Sequence, residues 1–128
     1  MIRVSRAETD EAREHRIHME AIVDCYGEDA RAMGWYYYLE GKLTFPFLAR
    51  CSATRAISPL KEGDEVEVLG MAPEEECMRE IFVVMRWERE GLAVPLSQLD
   101  LIHAEDKFGE TEEAVGDWHY WTNQGYRF

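Results

Sequence analysis

The spacing of the apolar residues changes twice along the chain, and this change restricts the folds that the chain can adopt. One stripe at helical period near the N-terminus comprises His15, His18, Met19, Ile22, Val23 and Tyr26. Between Leu43 and Ile102 the pattern becomes a series of short segments, and in residues 65–69 polar and apolar residues alternate strictly. The helical period then returns. The sequence therefore predicts an α+β fold, in which helices flank a central group of strands.

Three helices are predicted outside the central group. The first covers residues 7–26, and Gly27 is suited to end it in the left-handed conformation. The second covers residues 28–40. The third covers residues 111–124, and one of its faces carries Ala114, Val115, Trp118 and Trp121.

Five short strands are predicted between these helices, at residues 45–57, 65–69, 81–87, 92–95 and 99–102. A hairpin loop is predicted at residues 88–91. So many short strands in so few residues favour a small five-stranded SH3-like antiparallel barrel with N-terminal and C-terminal helices, an analogy of architecture that does not imply function. We expect a single domain of residues 1–128, helical over 1–42, a barrel over 43–102 and a C-terminal helix over 109–125.

Negative charge is concentrated in two parts of the sequence. The 128 residues include 26 Asp and Glu against 14 Lys and Arg, a net charge of −12. Residues 62–80 hold eight acids and one base, residues 105–117 hold six acids and one base, and the remainder is neutral. Nucleic acid and anionic membrane surfaces would be repelled and are not expected partners. Cations and basic proteins are the expected ones.

Residues typical of catalytic and transition-metal sites do not form a recognisable motif. The sequence has no Gly-x-Ser-x-Gly turn, no phosphate-binding glycine loop and no His-Glu-x-x-His pair. Cys25, Cys51 and Cys77 are widely spaced and form no Cys-x-x-Cys pair, which favours reduced thiols. We therefore expect a protein that is not an enzyme and, since no signal-peptide core precedes the first charges, a cytoplasmic one.

Clustered carboxylates are the candidate metal ligands, because hard cations such as Ca²⁺ prefer oxygen donors. No 12-residue EF-hand loop is present, so a calcium site must combine separate segments. The candidates form three groups: Glu74, Glu75 and Glu76 with Glu80; Asp64, Glu65 and Glu67; and Asp24 and Glu20 with Glu28 or Asp29. Arg13, Arg16 and Arg31 are candidate ion-pair partners of the third group. We expect Ca²⁺ to bind with a dissociation constant on the order of 10⁻⁶–10⁻⁴ M. The alternative is a non-catalytic interaction module, whose acidic patches bind a basic protein.

Several stretches resemble the small cyanobacterial calcium-binding protein family, which lacks EF-hands. They are residues 32–40 (AMGWYYYLE), 57–61, 63–68, 71–77, 86–88, 92–99 and 117–121 (DWHYW). The resemblance as a whole covers roughly residues 19–126, most of the chain. The resemblance implies a soluble, acidic, intracellular calcium binder or buffer, and it identifies no ligand residues.

Overall fold

The first helical segment is shorter than predicted and changes its register part-way. In a computed structural model, which describes residues 10–87, 90–106 and 109–125, helix α1 spans Glu11–Arg16 and continues as a π-helical turn, Ile17–Ala21. The turn is closed by a hydrogen bond from the Ile22 N–H to the Ile17 carbonyl, 3.0 Å long. The additional residue in a π turn rotates the helix face that follows it.

Most of the predicted apolar stripe is not buried, and this includes His15 and His18. The side chains that reach the core are Ile17, Ala21 and Ile22, whereas Met19, Val23 and Tyr26 are exposed. The predicted end of the helix was also wrong, because the backbone leaves the helical conformation at Ile22. Residues 7–9 of the predicted helix lie outside the described residues.

The connection to the second helix contains two residues with positive φ. Asp24 is left-handed, with φ of 56°, although it is not a glycine. Gly27, with φ of 100°, lies directly before helix α2, Glu28–Lys42, instead of ending α1. Helix α2 confirms the predicted second helix. Its Trp35 is fully buried, and the Trp35 ring lies 5.0 Å from that of Trp118, between centroids.

The five strands form one antiparallel sheet. They are β1 (Phe47–Cys51), β2 (Glu65–Met71), β3 (Phe82–Trp87), β4 (Glu90–Pro95) and β5 (Leu99–Ala104). Their order across the sheet is β4-β3-β2-β1-β5. Among the described strands β4 and β5 each have one neighbour, so the sheet is open and the predicted closed SH3-like barrel is not confirmed. Short 3₁₀ helices at Glu74–Cys77 and Leu96–Gln98 precede β3 and β5.

Several strand boundaries differ from the prediction, most of all the end of β1. Strand β1 ends at Cys51 because the Cys51 N–H bonds the Asp64 carbonyl and the Gly63 N–H bonds the Cys51 carbonyl, at 2.7 and 2.8 Å. These bonds close a long connection over residues 52–64, which was predicted to be partly strand. Of the predicted hairpin loop, Glu88 and Arg89 lie outside the described residues, and Glu90 and Gly91 belong to β4.

One face of the sheet is covered by the helices and forms the core. Phe47, Ala49 and Cys51 of β1 are buried, while Leu48 and Arg50 between them are exposed, as the alternation of a strand requires. Helix α3, Glu110–Asn123, buries the four predicted apolar residues, Ala114, Val115, Trp118 and Trp121. Within the described residues, no helix combines the length and the apolar composition that a membrane span needs.

A buried carboxylate joins the three helices. Asp117 of α3 is fully buried, and its oxygens accept hydrogen bonds from Arg16 Nη2 at 2.6 Å and Nε at 3.0 Å. The Tyr38 hydroxyl of α2 donates a third bond of 2.6 Å. Burial, together with this bond, raises the pKa of Tyr38, so that the hydroxyl remains a donor. The hydrogen bond to Asp117 likewise raises the pKa of Arg16.

We predict that Asp117→Asn lowers the free energy of unfolding by about 3 kcal/mol, because it leaves the Arg16 charge without its buried counterion. Urea denaturation measures the change. Glu113→Gln is the matched control, since Glu113 lies 3.5 Å from Arg16 but is partly exposed, and it should cost less than about 1 kcal/mol. Equal losses in the two variants would contradict the role of the buried carboxylate.

A second carboxylate caps helix α3. Asp106 Oδ2 accepts the Thr111 N–H at 2.7 Å. Hydrogen bonds from the hydroxyl and the backbone N–H of Thr111 hold the pKa of Asp106 below its ordinary value of 3.8. A lowered folded-state pKa gives stability that is present above the unfolded pKa and is lost as the pH falls through the folded-state pKa.

We therefore predict that Asp106→Asn has a lower Tm than the parent protein at neutral pH, and that the two Tm values converge as the pH falls below about 4. Thermal melts followed by circular dichroism over this pH range test the prediction. A difference in Tm that does not change with pH would mean that the charge of Asp106 contributes nothing to the cap.

Candidate metal site

The first candidate group lies on the 3₁₀ helix that precedes β3. Glu74, Glu75 and Glu76 are all exposed there. A 3₁₀ helix has three residues per turn, so successive side chains diverge by about 120°. The region was predicted to be a loop in which neighbouring carboxylates could converge. In the observed helix, the three do not converge on a single point.

Glu74 has a hydrogen-bond partner on α2 that was not predicted from the sequence. The Tyr37 hydroxyl of α2 donates a short hydrogen bond to Glu74 Oε1. This bond, with smaller contributions from burial and from the charges of Glu74 and Glu40, raises the pKa of Tyr37. Glu40 lies four residues after Tyr36 and three after Tyr37 in α2. This spacing was the one feature of the sequence that could have placed the Glu40 carboxylate beside the two tyrosines.

The buried neighbour Tyr36 experiences the same negative potential. Its hydroxyl donates to the Ala72 carbonyl at 2.7 Å and thereby fixes α2 against the segment that leads into the 3₁₀ helix. Burial, assisted by the charges of Glu40, Cys77 and Glu74, raises the pKa of Tyr36 to about 12. Glu40 of α2 and Glu74 of the 3₁₀ helix belong to different elements, but the charges of both raise the pKa values of Tyr36 and Tyr37.

Glu80, the fourth member of this group, is bound by an arginine. Arg55 Nη2 donates to Glu80 Oε1 at 3.1 Å, Nη1 contacts Oε2, and the Ser97 hydroxyl donates to Oε2 at 3.0 Å. Both side chains are partly buried. Glu80 therefore holds the 52–64 connection to the end of the 3₁₀ segment, and a metal ion would have to displace Arg55.

The second group is also largely paired. Glu65 and Glu67 extend from β2, and they contact Arg50 at 3.0 Å and Arg86 at 2.6 Å, across the neighbouring strands. Asp64 accepts the Lys61 N–H at 2.9 Å, and this bond closes the turn before β2. Two of the three carboxylates in this group already have a guanidinium partner.

The third group lies in the connection between the π-helical turn and α2. Asp24 and Glu28 are both exposed. Arg13 and Arg16 were considered as partners for this group, but both contact Asp117 instead, at 3.5 and 2.6 Å. Glu20, another predicted member of this group, has its Oε1 atom 3.8 Å from Lys42 Nζ.

Residues 10–87, 90–106 and 109–125 contain no set of three His, Cys, Asp or Glu side chains arranged to hold a metal ion. The exposed donors are carboxylate oxygens, which suit a hard cation such as Ca²⁺. The three cysteines are free, and Cys51 and Cys77 are buried, so they offer no thiolate cluster. The donor set fits Ca²⁺ in its chemistry, and the ligand residues stay a prediction.

Comparison with known proteins decides the family. The sequence profile of the CcbP family, described as calcium binding, matches residues 15–122. The chain belongs to this calcium-binding family. The resemblance found in the sequence is thereby confirmed. None of the curated proteins compared with the chain matches it.

Two solved structures share the fold of this family member. The crystal structure of Anabaena CcbP is 40% identical over 98% of this chain and 100% of its own, with a TM-score of 0.82. A calcium-binding protein in the calcium-binding form is 41% identical over 93% of this chain and 95% of its own, with a TM-score of 0.80. Both support the open α+β arrangement described above.

We predict that some candidate carboxylates stabilise the fold through an ion pair, whereas others contribute little to its stability. Glu80→Gln should lower the free energy of unfolding by about 1–2 kcal/mol, because Arg55 loses a partly buried charged partner. Glu75→Gln, an equally conservative change on the exposed 3₁₀ helix, should stay within about 0.5 kcal/mol of the parent protein. Urea denaturation of the two variants distinguishes them, and equal stability would show that the Arg55 pair is energetically neutral.

Proposed function

We propose that this chain binds Ca²⁺ through surface carboxylates outside any EF-hand and serves as a calcium buffer or sensor without catalytic activity. The observation that carries this proposal is the similarity to a protein in its calcium-binding form, at 41% identity over 93% of this chain. The concentration of the whole net charge in two short windows supports it, because clustered carboxylates attract cations.

Glu74 is the residue on which the proposed site is centred. Its carboxylate is at the surface, and Glu40 of α2 acts on the same two tyrosines. Glu75 and Glu76 add negative charge to the same turn. A bound Ca²⁺ would supply two positive charges that offset the repulsion among these groups. Tyr37 would orient the Glu74 carboxylate toward this region.

The other candidates rank below this group on physical grounds. Asp24, Glu28 and Asp64 are exposed, and they remain secondary candidates. Glu65, Glu67 and Glu80 would have to leave their arginine partners before they could bind an ion. Because each such exchange costs an existing ion pair, we expect these three to contribute less to calcium affinity.

A weak affinity suits the role of a buffer or sensor. Exposed carboxylates that must converge on binding pay for their ordering with part of the binding free energy, so we expect a dissociation constant on the order of 10⁻⁶–10⁻⁴ M. We infer a cytoplasmic location, which the three free cysteines support.

The decisive variant replaces Glu74, Glu75 and Glu76 by Gln, which keeps their size and removes three charges. Calcium affinity should fall at least about tenfold, equivalent to about 1.4 kcal/mol. The parent protein should gain about 2.7 kcal/mol of stability when free Ca²⁺ is 100 times the dissociation constant. The variant should gain clearly less at that concentration. Calorimetric titration and thermal melts with and without Ca²⁺ measure both quantities.

The matched control replaces Glu11, Glu105 and Glu112 by Gln. These three residues are exposed and lie outside the three candidate groups, and their loss changes the net charge equally. Retained affinity in the control would assign the loss to the 3₁₀ helix and not to overall charge. Equal calcium-induced stabilisation in parent and variant would place the site elsewhere, near Asp24 and Glu28. No stabilisation in any of the proteins would refute calcium binding.

A further inference from the structure

A cleft separates strand β5 from helix α3. It has a volume of about 420 Å³ and is lined by Asp100, Leu101 and Ile102 from the strand and by Glu112, Val115 and His119 from the helix. This volume lies within the range of about 300–1,000 Å³ that is common for binding clefts. The cleft is separate from all three groups of candidate calcium ligands.

One wall of the cleft is a sheet edge. Among the described strands, β5 pairs with β1 alone. The Gln98 carbonyl accepts the Ser52 N–H on the β1 side, whereas the Leu99 carbonyl contacts His119 Nε2 of α3. Alternate residues of an antiparallel strand direct their N–H and C=O groups to the same side. The backbone groups of Leu101 therefore face away from β1, toward the cleft.

The edge is irregular next to this position. The register between β1 and β5 shifts between Leu48 and Ala49, so Ile102 is an additional residue in β5. Ile102 and Leu48 are exposed by 42% and 46%. Bulges are frequent at sheet edges and next to binding sites, where they redirect a side chain. Here the bulge places an apolar side chain at the rim of an open edge.

The charges at the cleft select the kind of occupant. Asp100 is 66% exposed, Glu112 is also exposed, and among the residues that the structure describes no lysine or arginine lines the cleft. His119 lies 3.9 Å from Asp100. An extended chain that pairs with a strand edge presents its alternate side chains to the two sides. Basic side chains of such a chain would face Asp100 and Glu112, and apolar ones would cover the exposed side chain of Ile102.

We propose that the cleft between β5 and α3 binds an extended, basic segment of a partner protein, which joins the sheet as a strand beside β5. The hydrogen bonds of the edge supply affinity that is independent of sequence, and the carboxylates supply the preference for basic residues. This interaction does not depend on calcium binding. It gives the acidic chain a defined surface for a basic partner.

The probe is a capped peptide of about seven residues in which lysine and valine alternate, long enough to span the six residues of β5. Binding is measured by calorimetry and by amide chemical shifts in EDTA, so that the outcome is independent of the calcium proposal. We expect shifts at Leu101–Ala104 and along the facing side of α3, and slower hydrogen exchange of the Leu101 amide.

Two variants of this chain test the charges. Asp100→Asn with Glu112→Gln should weaken binding about fivefold or more, because each exposed ion pair contributes a factor of about two to five. The matched control, Glu11→Gln with Glu62→Gln, removes the same charge at exposed positions outside the cleft and should change affinity less than about twofold. Equal losses in the two double variants would reduce the interaction to overall charge attraction and overturn the proposal.

Two forms of the peptide test the strand pairing. N-methylation of all valines and N-methylation of all lysines block opposite edges of an extended chain, because alternate N–H groups face opposite sides. We expect one form to bind like the parent peptide and the other at least about tenfold more weakly. Equal affinities of the two forms, or shifts confined to Glu74–Cys77, would overturn the proposal.

Discussion

Asp117 is the residue on which the arrangement of the helices depends. Its carboxylate is fully buried, and it accepts bonds from Arg16 near the end of α1 and from Tyr38 of α2. A buried charge is tolerated when its lone pairs are satisfied in this way. Arg13 lies over Gly116, where an added Cβ would come within 2.5 Å of the guanidinium. The N-terminal segment is thus attached to α3 by electrostatics as much as by apolar contact.

This buried network also determines which charges remain at the surface. Arg13 and Arg16 are directed inward to Asp117, and Arg50, Arg55 and Arg86 each pair with one carboxylate. The carboxylates of the 3₁₀ helix have no comparable basic partner among the described contacts, apart from the Tyr37 hydroxyl on Glu74. Negative charge therefore accumulates where α2 meets the segment before β3. This is the region in which we propose that Ca²⁺ binds.

The candidate site could be predicted from sequence in its chemistry but not in its geometry. The density of acids over residues 62–80 indicated oxygen ligands, and the absence of an EF-hand loop indicated a composite site. The sequence did not distinguish Glu80, which binds Arg55 from a distant loop, from Glu75, which is exposed. That distinction depends on pairs that are 25 residues apart. Glu40 was missed because its relation to Glu74 exists only after α2 packs on the 3₁₀ helix.

The sequence by itself determined the second and third helices, the presence of five strands and the family, because these follow from local periodicity and from long characteristic stretches. Only the tertiary structure decided which face of the first helix is buried: Ile17 and Ala21 of the π-helical turn reach the core and Met19 is exposed, while Val23 and Tyr26 lie beyond the end of the helix. It also decided that the sheet is open, with β5 facing α3 across a cleft. Both outcomes depend on packing between elements that are distant in sequence, which period and composition do not encode.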